Sequence, residues 1–107
     1  GISMRLEELV LRRAEFCARA GADGVIASAR EAQAIRKRFG DDLLIVTPGV
    51  RPAGARADDQ ARIVTPSEAI RAGADHLVVG RPIVNAKDSR ATARAIVDEI
   101  ESASQHR

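Results

Sequence analysis

A chain of 107 residues, 45% hydrophobic and 30% charged, has room for one small domain and no second one. Its 17 basic and 15 acidic residues leave a formal charge of +2 and alternate in sign without a basic run, so composition gives no electrostatic footprint for a nucleic-acid polymer. Two Phe, no Trp and no Tyr remove the aromatic faces on which single-stranded bases stack, and the lone Cys17 excludes an internal disulfide and a cysteine-type metal site, which suits a reducing cytoplasm.

Residues 1–5 (Gly-Ile-Ser-Met-Arg) lack the apolar core of a secretory signal and read as an expression remnant or a cut end. No apolar run approaches the length of a membrane span. Leu6, Leu9, Val10, Ala14, Cys17 and Ala18 recur at helical spacing with charged residues largely between them, which predicts an amphipathic helix over about 5–20 ended by Gly21. Residues 24–27 form a short buried strand. Ser28 caps the next helix, with Glu31 three positions on as in a capping box; Ala32, Ala34, Ile35 and Phe39 line it, and Gly40 stops it.

The unbroken apolar run 43–46 predicts a strand buried on both faces, as in parallel sheets. Pro48-Gly49 turns the chain outward. A loop rich in Ala, Gly, Asp and Arg follows over about 50–64, long enough to suggest a functional or flexible segment. Thr65 as N-cap and Pro66 at the first helical position start a short helix that Gly73 ends. Residues 76–79 form the third strand, Gly80-Arg81-Pro82 a brief turn, and 88–103 a last helix with Ala91, Ala93, Ile96, Val97 and Ile100 inward. The tail from Ser102 is expected to fray.

Each strand is followed by a helix, the repeat of a parallel α/β sheet or barrel. The phrases Ala20-Gly21-Ala22-Asp23 and Ala72-Gly73-Ala74-Asp75 each precede a strand, which fits repeated βα units and equally fits a common helix-to-strand turn. Three strands make too small a parallel sheet to bury their own edges, and a (β/α)8 barrel needs eight strands in roughly 250 residues. The expected fold class is therefore a partial (β/α)8 TIM barrel, three βα units with a leading helix, forming a single domain over residues 1–107.

Ligands of such barrels sit at the C-terminal strand ends, and phosphate often binds after the last two strands. Val46-Thr47-Pro48-Gly49-Val50-Arg51-Pro52 follows one strand end here, and Gly80-Arg81 the next. Glycine permits close backbone approach to an anion, and arginine adds bidentate charge-assisted hydrogen bonds worth about 1.5–3 kcal/mol each. Gln60 offers neutral amide donors from the far side of the loop. On chemistry alone, Arg51 and Arg81 read equally well as solvated surface arginines.

Residues 46–52, Asp59-Gln60, 63–66 and 72–83 resemble the C-terminal part of orotidine 5′-phosphate decarboxylase, and the similarity runs from about Val10 to Ile96. Residues 21–29 resemble that family's sixth strand, 47–52 its seventh and 78–83 its eighth. The resemblance implies that Arg51, Gln60, Gly80 and Arg81 bind the substrate phosphate and that the loop over about 50–63 folds across it. It also implies a reaction without cofactor or metal, in which orotidine 5′-phosphate loses carbon dioxide from C6 and a lysine protonates the resulting carbanion to give uridine 5′-phosphate. The family's catalytic Asp-Lys-x-x-Asp cluster, on its third strand, is absent here, so no catalytic residue is assigned and the chain alone is expected to be inactive. The partners implied are that nucleotide monophosphate and either a second copy in a homodimer or the N-terminal half of the barrel, with no nucleic-acid polymer and no membrane.

Asp41-Asp42 and Asp58-Asp59 read as a solvated strand lead-in and part of the loop, and Lys37 and Lys87 as surface charges. Cys17 is expected to pack, and His76, inside a strand, to pack or find a hydrogen bond. His106 lies in the tail. Ser28 caps a helix or touches ligand at a strand end. No Ser-His-Asp pattern, Walker loop or zinc spacing occurs. The rivals are another phosphate-binding barrel lyase, such as a 3-keto-hexulose-phosphate synthase relative, a non-catalytic phosphate-binding half-barrel, and a flavodoxin-like fold.

Overall fold

A computed structural model of the chain describes residues 2–52 and 64–105. The elements run α1 (Ile2–Arg19), β1 (Gly24–Ile26), α2 (Ala29–Phe39), β2 (Leu44–Thr47), α3 (Pro66–Ala72), β3 (His76–Leu77), α4 (Arg81–Val84) and α5 (Ser89–Ser104). The strands form one parallel sheet in the order β1-β2-β3. Val25 pairs with Ile45, and Ile26 with Val46, which in turn pairs with His76.

Successive side chains on a strand point to opposite faces. Ile45 and Thr47 are fully buried on one face of β2. Ile45 joins Ala14 of α1, Ala32 and Ile35 of α2, Ala27 and Leu43 in one core cluster; Ala29, Val50, Ala69 and Ala74 form a second. The other face carries Ile26, Leu44, Val78 and His76, all exposed, with Ile26 at 78% and Leu44 at 47%. Helices thus cover one face of the described sheet, as in one arc of a (β/α)8 barrel.

Two capping boxes start helices where sequence places them. Ser28 N–H donates to Glu31 Oε1 at 2.9 Å and Glu31 N–H to Ser28 Oγ at 3.2 Å. Thr65 and Glu68 repeat the exchange at 3.0 and 3.2 Å. The Thr65 N–H, followed by its hydroxyl, holds the Glu68 carboxyl below its ordinary pKa. Each box satisfies two of the donors that a helix start leaves unpaired.

The ends where β2 and β3 begin are fastened by Arg36 of α2. Its Nε and Nη2 donate to the Gly73 carbonyl at 3.1 and 2.6 Å, Nη1 donates to the carbonyls of Gly40 at 2.6 Å and Leu43 at 3.2 Å, and Nη2 also pairs with Asp75 Oδ2. Asp75 is tied to β2 twice, its Oδ2 accepting from Ile45 N–H and its own N–H donating to the Ile45 carbonyl, both at 2.8 Å. Gly73 ends α3 with φ +118°, and a Cβ there would come within 2.9 Å of Arg36 Cβ.

Several expectations are corrected. Residues 81–84 form α4 rather than a turn, with Pro82 in its first turn, where no N–H is needed. Leu6 and Leu9 on α1, and Ala91 and Val97 on α5, are exposed rather than inward. Periodicity marks an apolar stripe but not how much of it this chain alone can cover. His76 is exposed because it stands on the uncovered sheet face. Residues 102–104 do not fray: α5 continues through Ser104, held by Ala103, which is 1% exposed. Cys17 is half-buried.

Candidate functional site

The site is built where β2 and β3 end. Beyond Thr47 the chain turns at Pro48 and at Gly49, whose φ of +72° favours glycine. Val50 then pairs with Val64 in an isolated parallel bridge, and Arg51 N–H donates to the Val64 carbonyl at 2.9 Å. Next to this turn, Val78 N–H donates to the Thr47 carbonyl at 3.0 Å. The two segments bearing the predicted arginines therefore leave hydrogen-bonded, adjoining strand tips.

Gly80 caps α4, its carbonyl accepting from Ile83 and Val84 N–H at 3.0 Å each. A Cβ on Gly80 would meet no atom of the described residues within 4 Å. Arg81 opens α4 and is exposed, while Arg51 is half-buried. Ser89 Oγ donates to the Ile83 carbonyl at 2.8 Å, tying the start of α5 to α4, and Asp88 Oδ1 caps α5 by accepting from Ala91 N–H at 3.0 Å. Gln60 lies outside the described residues.

Sequence reasoning did not single out Thr47. Its side chain is fully buried at the tip of β2, and its Oγ1 has no hydrogen-bond partner among the described residues. Its position between a buried strand and Pro48 was the available signal. The remaining candidates stay apart from the site. Ser28 serves as a cap, Asp41, Lys37 and Lys87 are exposed, and Asp58-Asp59 lie outside the described residues. Among the described residues, no cluster of three or more His, Cys, Asp or Glu can hold a metal ion, and no helix is long and apolar enough to cross a membrane.

A three-stranded parallel sheet covered by helices on one face fits one arc of a (β/α)8 barrel. Residues 3–96 match the model of the orotidine 5′-phosphate decarboxylase / HUMPS family, and the chain belongs to that family. It is 55% identical over 103 residues to an orotidine 5′-phosphate decarboxylase of Methylorubrum extorquens, covering 96% of this chain and 44% of the relative. Against the same-named protein of Trichlorobacter lovleyi, identity is 56% over 100 residues, covering 94% of this chain and 42% of the relative. The crystal structure of orotidine 5′-phosphate decarboxylase from Lactobacillus acidophilus superposes with a TM-score of 0.74 at 41% identity, over 89% of this chain and 38% of that one. The chain thus spans less than half the length of these relatives.

Proposed function

We propose that this chain forms the phosphate-gripping end of an orotidine 5′-phosphate decarboxylase, with Arg51, Gln60, Gly80 and Arg81 as the residues that hold the substrate phosphate. The single observation that carries the assignment is the hydrogen bond from Val78 N–H to the Thr47 carbonyl, 3.0 Å long, because it sets the two arginine-bearing turns side by side. Arg81 approaches from the start of α4 and Arg51 from the turn after β2. Gln60 is assigned to the phosphate by the resemblance of its sequence motif.

In the reaction, the bond between C6 of the pyrimidine and its carboxylate breaks and carbon dioxide departs. The electron pair stays on C6 and a proton then takes the vacated position. The sequence carries no Asp-Lys-x-x-Asp cluster, so the proton donor comes from another part of the barrel. The role of the residues here is remote binding: gripping the phosphate orients the ring and contributes to transition-state stabilisation at a distance. The substrate is a small nucleotide and the setting cytoplasmic. The chain acts as one domain that pairs with the N-terminal part of the barrel or within a homodimer.

Two measurements test this assignment. The chain alone produces no uridine 5′-phosphate from orotidine 5′-phosphate once host enzyme has been removed, and turnover that persists refutes the division of labour. In the closed barrel, Arg81→Ala lowers kcat/KM by at least about 10²-fold, and a loss under about threefold contradicts the phosphate assignment. The family also includes HUMPS members. The decarboxylase reading is favoured because relatives at 55% and 56% identity carry that name.

A further inference from the structure

A helix that covers a sheet turns apolar side chains toward it and polar ones away from it. The helix α2 obeys this rule. Ala32 and Ile35 enter the core, and the opposite side carries Arg30, Gln33 and Lys37, all exposed. The helix α1 does not. Ala14 and Ala18 face the core cluster, and at about 100° per residue Phe16 stands about 160° around the helix from each of them. Leu9 stands about 140° from Ala14 and about 180° from Ala18. Phe16 is 75% exposed and Leu9 43%. Seven residues apart, the two form one ridge along the side of α1 that points away from the sheet. Closing a barrel sets further helices beside α1 in the ring and leaves this outward side uncovered.

The charges beside this ridge are of one sign. Arg5, Arg12 and Arg19 repeat every seven residues along one border, Arg13 stands on the other, and all four are exposed. Between residues 5 and 19, this outward arc of about 120° holds no carboxylate. Glu8 and Glu15 lie further round, toward α2, where Glu15 meets Arg38 at 3.9 Å. Arg19 also pairs with Glu15, at 3.1 Å, whereas Arg5, Arg12 and Arg13 have no ion-pair partner among the described residues. An apolar ridge on a seven-residue repeat, bordered by like charges on the same repeat, is how one helix selects another of opposite charge. We infer that the outward side of α1 docks an acidic amphipathic helix of a partner protein. Aliphatic anchors of that helix pack against Leu9 and Phe16, and its carboxylates pair with Arg5, Arg12 and Arg13. A second copy of this chain is disfavoured because it would set arginine rows against each other. A lipid surface is disfavoured because the ridge is only about 20° wide, with arginine within about 40° on either side, whereas a helix lying in a membrane interface buries a broad apolar face.

The outward side of α1 is separate from the strand tips, so the test reads binding and not turnover. The probe is a fluorescein-labelled peptide of about three heptads with leucine at a and d and glutamate at e and g. Fluorescence anisotropy with the 107-residue chain is expected to give a Kd in the micromolar range. The same peptide with lysine in place of glutamate binds at least about tenfold more weakly. Phe16→Ala and Arg12→Glu each weaken binding of the glutamate peptide at least about tenfold. Arg94→Glu, at an exposed position of α5, alters net charge as much as Arg12→Glu and leaves the Kd in place. Far-UV circular dichroism shows retained helix in all three variants, because each side chain is exposed. Equal affinity for the two peptides overturns the inference, as does an unchanged Kd with Phe16→Ala or an equal loss with Arg94→Glu. A chain that sediments with phosphatidylserine vesicles and ignores the peptide assigns the ridge to lipid and overturns it too. So does a homodimer in native mass spectrometry that Phe16→Ala dissociates.

Discussion

Arginine stands at both ends of the sheet and is held in opposite ways. At the end where β2 and β3 begin, Arg36 directs all five of its N–H donors to internal acceptors: Gly73 twice, Gly40, Leu43 and Asp75. The Arg36 and Asp75 side chains are only 19% and 22% exposed. At the end where the strands finish, Arg81 is exposed at the start of α4, beside a glycine whose Cβ position meets no atom of the described residues within 4 Å. A guanidinium whose donors are saturated is a structural fastener and has nothing left for a ligand. Barrels divide their labour along the same axis, with stability at the N-terminal strand ends and chemistry at the C-terminal ends.

The comparison breaks or sharpens according to what each arginine does when removed. Arg36→Ala is expected to cost about 3–5 kcal/mol of stability, because it leaves the half-buried Asp75 carboxylate without its cation and frees three carbonyls. The urea midpoint measures this, and a loss under about 1 kcal/mol would erase the distinction between the two ends. Arg81→Ala is expected to do the reverse in the closed barrel, lowering kcat/KM by at least about 10²-fold while leaving the urea midpoint in place. Gly73→Ala tests the same fastener through the backbone. With φ at +118° and a Cβ placed 2.9 Å from Arg36 Cβ, the substitution is expected to cost about 1–2 kcal/mol, read from the shift in Tm.

The smallest effect concerns the helix cap beyond the Val50–Val64 bridge. Glu68 has a lowered pKa in the folded chain, so its contribution is fully present above its ordinary value of 4.5 and is lost as pH falls through the folded value. The Tm difference between the natural chain and Glu68→Ala should therefore be constant near neutrality and shrink in acid. A difference that grows in acid would reverse the sign and remove the capping account. Thr65→Ala, which deletes the other half of the box, is expected to cost about 1 kcal/mol.

Much of this was legible in the sequence because the signals are local. Ser28 with Glu31, Thr65 with Pro66, and the apolar run before Pro48 each act within a few residues, and each produced its helix or strand, although the strand before Pro48 is buried on one face rather than on both, with Leu44 47% exposed. The strand tips were legible because turn glycines and arginines cluster after them. Arg36 was not legible, since its partners Gly73 and Asp75 lie 37 and 39 residues away, and in sequence it is one of three consecutive basic residues on a helix. The third strand is shorter than its apolar run suggests. Its partner β2 ends at Thr47, so the described ladder stops at Leu77 although Val78 still reaches the Thr47 carbonyl. The exposure of Leu6, Leu9 and Val97 was invisible for a different reason: amphipathic spacing marks an apolar stripe, not how much of it is covered.

The order β1-β2-β3 leaves β2 as the one described strand with a neighbour on each side. Local opening begins where contacts are fewest, so the open arc should shed its protection from both margins inward. Deuterium uptake by its amides would form a gradient, fast at the outer strands and slow at Leu44–Thr47. A closed ring has no margin from which to begin, and the same amides would then exchange together.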